Sequence, residues 1–339
     1  MTELNRVWRL RRRPAGGLGE ADLTLEVEPI PEPREGQCLV RLNYLSVDPT
    51  NLVWMKRDSY IPAVPLDDPM RGVVCGTVID SRSDRLPTGS IVSGMGTWAD
   101  YQLGTPDALQ VMAGTGPMPV VDAFATFAVV GPTAYVGMID IGLPKEGETL
   151  VVSGAAGAVG SIAGQIGKIH GCRVVGLAGS DEKCAWITDG VGLDAAINYR
   201  TEDVPAALDA ACPDGIDIYY DNTGGEILDA CLARMNVFGR VVTCGQISQY
   251  TTDGAWSGPA NYGSILINRL TVRGFIILDH MDRYPEAIGA LSGWMAEGRL
   301  TVRHEIVDGL EHAVETCRRL FTGAHTGKLI VRVEDVAQT

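Results

Sequence analysis

At 339 residues the chain is longer than one hydrophobic core usually spans, so two domains are expected. Hydrophobic residues at 45% and charged residues at 21% exclude a disordered chain, and a formal net charge of −14 excludes a broad polyanion-binding face, because nucleic acid requires clustered cations. The eight cysteines form no CxxC pair, which argues against a structural zinc lobe and, at this length, against a disulfide framework; they read as small buried hydrophobes.

The N-terminal segment carries Arg6, Arg9, Arg11, Arg12 and Arg13 but lacks the apolar run of a secretory signal. It reads as a solvated edge strand with Val7, Trp8 and Leu10 packed inward. Residues 1 to about 125 look β-rich, with runs such as Cys38–Leu42 and Val73–Val78 separated by Pro, Gly and Asp clusters. No stretch approaches ~18 uninterrupted apolar residues, so no membrane span is expected and a cytoplasmic location follows by default.

From about 145 the pattern changes. Apolar runs at 149–153, 173–177, 195–197, 216–220 and 240–244 alternate with helical stretches, the grammar of a doubly wound parallel sheet. Tyr284, Ile288, Leu291, Trp294 and Met295 share one face of a packing helix. The tail (306–307, a helix near 309–321, then 329–331) reads as a strand–helix–strand return to the first domain. The expected organisation is therefore 1–125 with 306–339 as one domain and 126–305 as a Rossmann domain.

The strongest motif is Ser153-Gly154-Ala155-Ala156-Gly157-Ala158-Val159-Gly160, which follows a predicted strand and opens a predicted helix. Such a turn exposes backbone N–H groups to a pyrophosphate at a helix N-terminus. Its spacing is GxxGxxG rather than GxGxxG, so the flanking strands and helix carry the argument. At the end of the second strand, Leu177-Ala178-Gly179-Ser180 replaces the acid that usually binds an NAD ribose, leaving room for a 2′-phosphate. Ser180 and Lys183 are candidate partners for it. Asp181 is the contrary sign, and as a first-turn residue it is expected to point to solvent.

A catalytic zinc needs three protein ligands, yet the five histidines (His170, His280, His304, His312 and His325) all lie beyond residue 169. There is no GxSxG elbow, P-loop or HExxH. Hydride transfer asks little of side chains beyond position and one donor near a carbonyl oxygen.

Taken together, Asn5–Leu10, Tyr44–Pro49, the 154–160 loop, Gly179–Cys184, Asp221–Gly225 and Gly258–Gly263 resemble the zinc-independent medium-chain dehydrogenases/reductases over nearly the whole chain. The branch is that of the prostaglandin, alkenal and bacterial curcumin reductases. The resemblance implies a GroES-like catalytic domain beside the Rossmann domain, NADP(H) without metal, and a homodimer with no nucleic-acid or membrane partner. It implies that Lys183, Tyr199 and Ser180 hold the 2′-phosphate. Asn222 and Gly245 would lie along the nicotinamide, and Tyr262 near its ribose and the substrate carbonyl. A strand at Gly274–Leu278, with Phe275 and Ile277, would line the pocket and help pair subunits. Tyr60 is a further pocket candidate. Relatives differ at Thr50-Asn51-Leu52, a second pocket segment, and show Asn where His325 stands as a cofactor contact.

The implied reaction is reduction of the C=C bond of an α,β-unsaturated ketone or aldehyde by hydride transfer to the β-carbon, Tyr262 stabilising the developing enolate. Quinone reduction, secondary-alcohol oxidation and a non-catalytic NADPH-binding role stay open as alternatives.

Overall fold

The computed structural model describes residues 4–112, 118–334 and 336. They divide into two compact units, 1–128 with 304–339, and 129–303.

The first unit is built of antiparallel strands. β1 (Leu4–Leu10) pairs with β2 (Leu23–Pro29) as a two-stranded ribbon. β3 (Cys38–Val47), β4 (Arg71–Ser81), β5 (Ile91–Thr97) and β7 (Leu109–Val111) follow one another across a larger sheet, and β6 (Tyr101–Gly104) pairs with β3. β3 alternates little because it is buried along almost its whole length. In β1 the inward positions are Asn5, Val7 and Leu10, while Trp8 is half-buried and donates its indole N–H to the Leu310 carbonyl at 2.8 Å. The basic arm is consumed in ion pairs: Arg6 with Asp100, Arg9 with Glu28, Arg11 with Asp67 and Arg12 with Asp22.

The second unit is a six-stranded, fully parallel sheet of β8 (Thr149–Ser153), β9 (Arg173–Ala178), β10 (Ala195–Asn198), β11 (Ile216–Asp221), β12 (Met235–Thr243) and β13 (Thr271–Gly274), in the order β10-β9-β8-β11-β12-β13. The order reverses between β8 and β11, the kind of switch point at whose carboxyl ends doubly wound sheets bind ligands. The strands read as continuous apolar runs because both faces are covered: all five residues of β8 are buried. The helix Tyr284–Ala296 buries Ala287 and Leu291, with Trp294 half-buried against the Tyr135 ring.

The chain then returns to the first unit. β14 (His304–Asp308) lies parallel to β15 (Lys328–Arg332), and β15 adds antiparallel to β3. The stretch Val120–Gly142 is long and apolar enough to cross a membrane by length and composition, but 67% of its apolar window is buried within the protein, as in a core helix.

One expected strand is displaced. The segment Gly274–Leu278 does not continue β13, which ends at Gly274, and 3₁₀ turns run from Ile277 to Arg283. The last β12 partner is Thr243, opposite Gly274, so the apolar residues beyond it have no strand to pair with.

Candidate active site

The glycine turn sits at the carboxyl end of β8. Gly154 takes a left-handed φ of 60°, and Gly157 caps the helix Ala158–Ile169. A Cβ on Gly160 would stand 2.3 Å from the Gly154 carbonyl oxygen, so the turn and the first helical turn pack backbone against backbone. Ala155 and Ala156 are buried beneath, whereas Ala158 and Val159 are half-buried at the first helical positions. The unpaired N–H groups of that first turn form the anion-binding end of the helix. The irregular spacing is thus no obstacle to a pyrophosphate: the contact the third glycine must allow is present.

Beside it, at the end of β9, lies the corner expected to read the ribose. Ser180 caps the short helix Asp181–Ala185, its oxygen accepting the Lys183 N–H at 3.3 Å. The Tyr199 hydroxyl lies over Gly179, 2.6 Å from where a Cβ would be, so any side chain at 179 would displace it. Ser180 and the Tyr199 hydroxyl thus both lie at the end of β9, and the Lys183 backbone sits on the helix that Ser180 caps. Asp181 does not simply face water: its Oδ1 accepts the Asn198 amide at 2.6 Å. That bond gives the acid a partner within the protein. Asn198 is buried at the end of β10, and its backbone N–H donates to Glu202 at 2.6 Å.

At the ends of β8, β11 and β12 a polar knot fixes the remaining predicted contacts. Asp221 is fully buried, and its Oδ1 accepts from the Tyr219 hydroxyl at 2.8 Å and from the Thr223 and Gly224 N–H groups at 3.0 and 2.8 Å. Burial pushes its carboxyl up from the ordinary value, opposed by those donors and by Ser153. The Ser153 hydroxyl accepts the Asn222 N–H at 2.9 Å, and the Asn222 amide donates to the Ser153 carbonyl at 2.7 Å. Gly245 donates to the Asp221 carbonyl at 3.0 Å, and a Cβ there would meet the Asn222 carbonyl oxygen at 3.3 Å. Gly154, Asn222 and Gly245 are thereby brought together at the carboxyl ends of these strands.

Tyr262 is 68% exposed on a 3₁₀ turn, Ala260–Tyr262, which Asn261 pins by donating to Asp229 at 2.6 Å. Among the described residues the Tyr262 hydroxyl has no hydrogen bond, which leaves it available to an acceptor. Phe275 and Ile277 are half-buried, the Phe275 ring lying edge-on to His280 at 6.2 Å.

In the first unit, the turn Asp48-Pro49 leads into the helix Thr50–Lys56. The Thr50 and Tyr60 hydroxyls are 3.0 Å apart, and Tyr60 stands edge-on to Trp54 at 6.2 Å. Tyr60 is 43% exposed, but partial desolvation of its hydroxyl lifts the phenol above its ordinary value, keeping it a donor at neutral pH. Asn51 is a correction. It is fully buried, its Oδ1 accepting the Asp48 N–H at 2.8 Å and its amide donating to the Arg71 carbonyl at 3.2 Å, so it holds the turn and does not face a pocket. Asn51 lies one residue inside the helix and reaches back to the turn that precedes it. Lys328, unremarked in the sequence, is 4% exposed and donates to the Val47 carbonyl at 2.6 Å and to Asp48 Oδ1 at 2.7 Å. His325 is half-buried, with Nδ1 3.3 Å from the Arg319 carbonyl oxygen.

Sequence reasoning passed over Ser153, Asn198, Asp221 and Lys328. A polar residue ending an apolar strand run was the available signal for three of them; for Lys328, at the head of a buried strand, there was none. Among the described residues no group of three or more His, Cys, Asp or Glu side chains converges as a metal site. Six cysteines are buried as expected, but Cys184 and Cys244 are half-buried.

A parallel sheet in this order, with a glycine turn at its switch point and an antiparallel domain closed by the C-terminal tail, defines a dinucleotide-binding oxidoreductase fold. The sequence profile described as "N-terminal domain of oxidoreductase" matches residues 6–112, and that described as "Zinc-binding dehydrogenase" matches 158–293. The chain is 39% identical to the NADPH-dependent curcumin reductase of Escherichia coli, covering 97% of each chain. It is 34% identical to prostaglandin reductase 1 of Bos taurus, covering 96% of this chain and 98% of that one. The crystal structure of CurA in complex with NADPH from Vibrio vulnificus superposes with a TM-score of 0.93 at 36% identity, covering 98% of this chain and 100% of that one. The chain belongs to the medium-chain dehydrogenase/reductase family, in the branch of the curcumin and prostaglandin reductases.

Proposed function

We propose that this protein uses NADPH to reduce the C=C bond of an α,β-unsaturated ketone or aldehyde, without a metal. The observation that carries the reading is the corner at Gly179, where Asp181 is bonded to Asn198, the Tyr199 hydroxyl lies over the glycine, and Ser180 stands where an NAD site places its carboxylate, with Lys183 three residues on. The relatives named as NADPH-dependent curcumin reductase and prostaglandin reductase support the substrate class.

When bound, NADPH supplies the hydride; the chain's part is placement and one hydrogen bond. The glycine turn and the N-terminus of the helix after it hold the pyrophosphate. Ser180, Lys183 and Tyr199 hold the 2′-phosphate, and Asn222 and Gly245 border the nicotinamide. Tyr262 donates to the substrate carbonyl oxygen, strengthening as charge develops there. Thr50 and Tyr60 in the first unit, and Phe275 and Ile277 in the second, are the substrate contacts that the family resemblance implies. His325 supplies a ring nitrogen where relatives carry Asn.

The metal-free reading rests on residues 1–169, the stretch from which zinc-dependent relatives draw their ligands and which here holds no histidine. Following NADPH absorbance with enones, enals, quinones and alcohols tests the assignment. Enone turnover that survives a chelator supports it; turnover of quinones alone, or none, refutes it.

Homodimer formation belongs to the same reading. β13 is an edge strand with all four residues exposed, and Leu266 and Ile267 beside it are 82% and 69% exposed. An open edge flanked by apolar side chains is suited to pairing with a second copy. Light scattering after gel filtration reports this directly, a monomer mass being the adverse result.

A further inference from the structure

We propose that Arg200 is a specificity-determining residue for the adenosine 2′-phosphate, a second cation opposite Lys183. This rests on the NADPH reading above. The sequence draws attention to Lys183 and Tyr199 but gives Arg200 no role, since an arginine just past a strand usually belongs to a solvated turn.

The geometry gives it one. A Cβ built on Gly179 would stand 2.6 Å from the Tyr199 hydroxyl and 3.3 Å from Arg200 Nε, so both side chains fold back across the same glycine. They reach it from the end of β10, which lies parallel to β9 with Asn198 opposite Ala178. Asn198 holds that end in place, its Oδ1 accepting the Arg200 N–H at 3.1 Å and its amide donating to Asp181. One buried amide thus fixes the backbone that carries the arginine and bonds Asp181, one of the two acids on the first turn with Glu182, while the Asn198 N–H engages Glu202. A guanidinium whose Nε reaches a residue without a side chain, beside the Tyr199 phenol, matches a phosphate better than a ribose hydroxyl, because its fork can pair two phosphate oxygens at once.

The test uses the full-length protein and two fragments, 2′,5′-ADP and 5′-AMP, titrated calorimetrically. Wild type binds 2′,5′-ADP the more tightly. Arg200→Gln lowers that affinity about tenfold, as expected for one charge-assisted contact at an exposed site, with 5′-AMP binding unchanged. Arg200→Lys recovers part of the loss, as a point charge lacks the fork. Added salt narrows the gap between wild type and Arg200→Gln. The position is exposed, so an unchanged melting temperature separates lost contact from lost fold. If Arg200→Gln discriminates between the fragments as wild type does, the arginine is uninvolved and the proposal is overturned. If wild type itself fails to discriminate, the NADPH reading falls first, whatever Arg200 does.

Discussion

Replacing Lys328 by Met isolates the buried ion pair beneath the Thr50 helix. The ammonium is almost fully enclosed and makes two short contacts, to Asp48 and to the Val47 carbonyl. Methionine nearly conserves the volume, so little cavity cost is expected. What remains is an Asp48 carboxylate stripped of its counter-charge. Breaking a buried pair this way costs roughly 3–5 kcal/mol. Asp48 keeps the Ser46 hydroxyl and its side chain is 17% exposed, which places the expected loss near the lower end, about 3 kcal/mol. Urea unfolding followed by fluorescence of Trp54 and Trp98, both buried in the first unit, measures it. The double variant Lys328→Met/Asp48→Asn removes both charges and should recover part of the loss, giving a coupling of about 1–3 kcal/mol. Strict additivity of the two single substitutions would refute the reasoning, because it would mean the pair does not interact.

Three further outcomes follow from the site. Tyr262→Phe should lower kcat on an enone by about 10²-fold with NADPH affinity intact; unchanged turnover removes Tyr262 from the chemistry. Gly160→Ala drives a methyl into the Gly154 carbonyl, so nucleotide affinity should fall at least about tenfold (from the 2.3 Å approach) while the glycine turn opens, and retained affinity in titration would contradict the packing given for it. Asp221→Asn tests the buried carboxyl. Its folded value is raised, so its stabilising share is full below the unfolded carboxyl range and is lost as pH rises through the folded value. The variant, isosteric with the protonated acid, should therefore match wild type at low pH and exceed it near neutrality in urea midpoints; a variant weaker at both would show that the charged form is the one the knot needs.

The parallel sheet, its glycine turn and the returning tail were legible because buried strands and phosphate turns leave one-dimensional patterns: apolar runs, and glycines at fixed offsets. The apolar stretch after Gly274 misled for the same reason. Composition reports propensity for a strand, but a strand also needs a neighbour, and β12 supplies none past Thr243. Asn51 misled differently: a polar residue in a segment that departs from the family pattern looks like a pocket residue until its side chain is seen bonded to the Asp48 N–H and the Arg71 carbonyl. The direction of Asp181 was likewise invisible, since it depends on Asn198, seventeen positions away and delivered by sheet pairing.

The site residues divide by how they are held. Those proposed to touch ligand, such as Tyr199, Arg200, Tyr60 and Tyr262, are exposed, and three of them sit next to a buried polar group that fixes their backbone or helix: Asn198 for Tyr199 and Arg200, and Asp48 with Lys328 for the segment bearing Thr50, the hydroxyl partner of Tyr60. Buried polar groups are costly when unpaired, so each of these supports has one satisfactory geometry and resists drift. Exposed contacts are then free to vary with substrate at little cost to folding. It follows that substitutions at the exposed positions should change affinity or turnover at nearly constant stability, while substitutions at Asn198, Asp48 or Lys328 should lower both together, and an Asn198→Ala protein that kept its melting temperature and its preference for the 2′-phosphate would break the division.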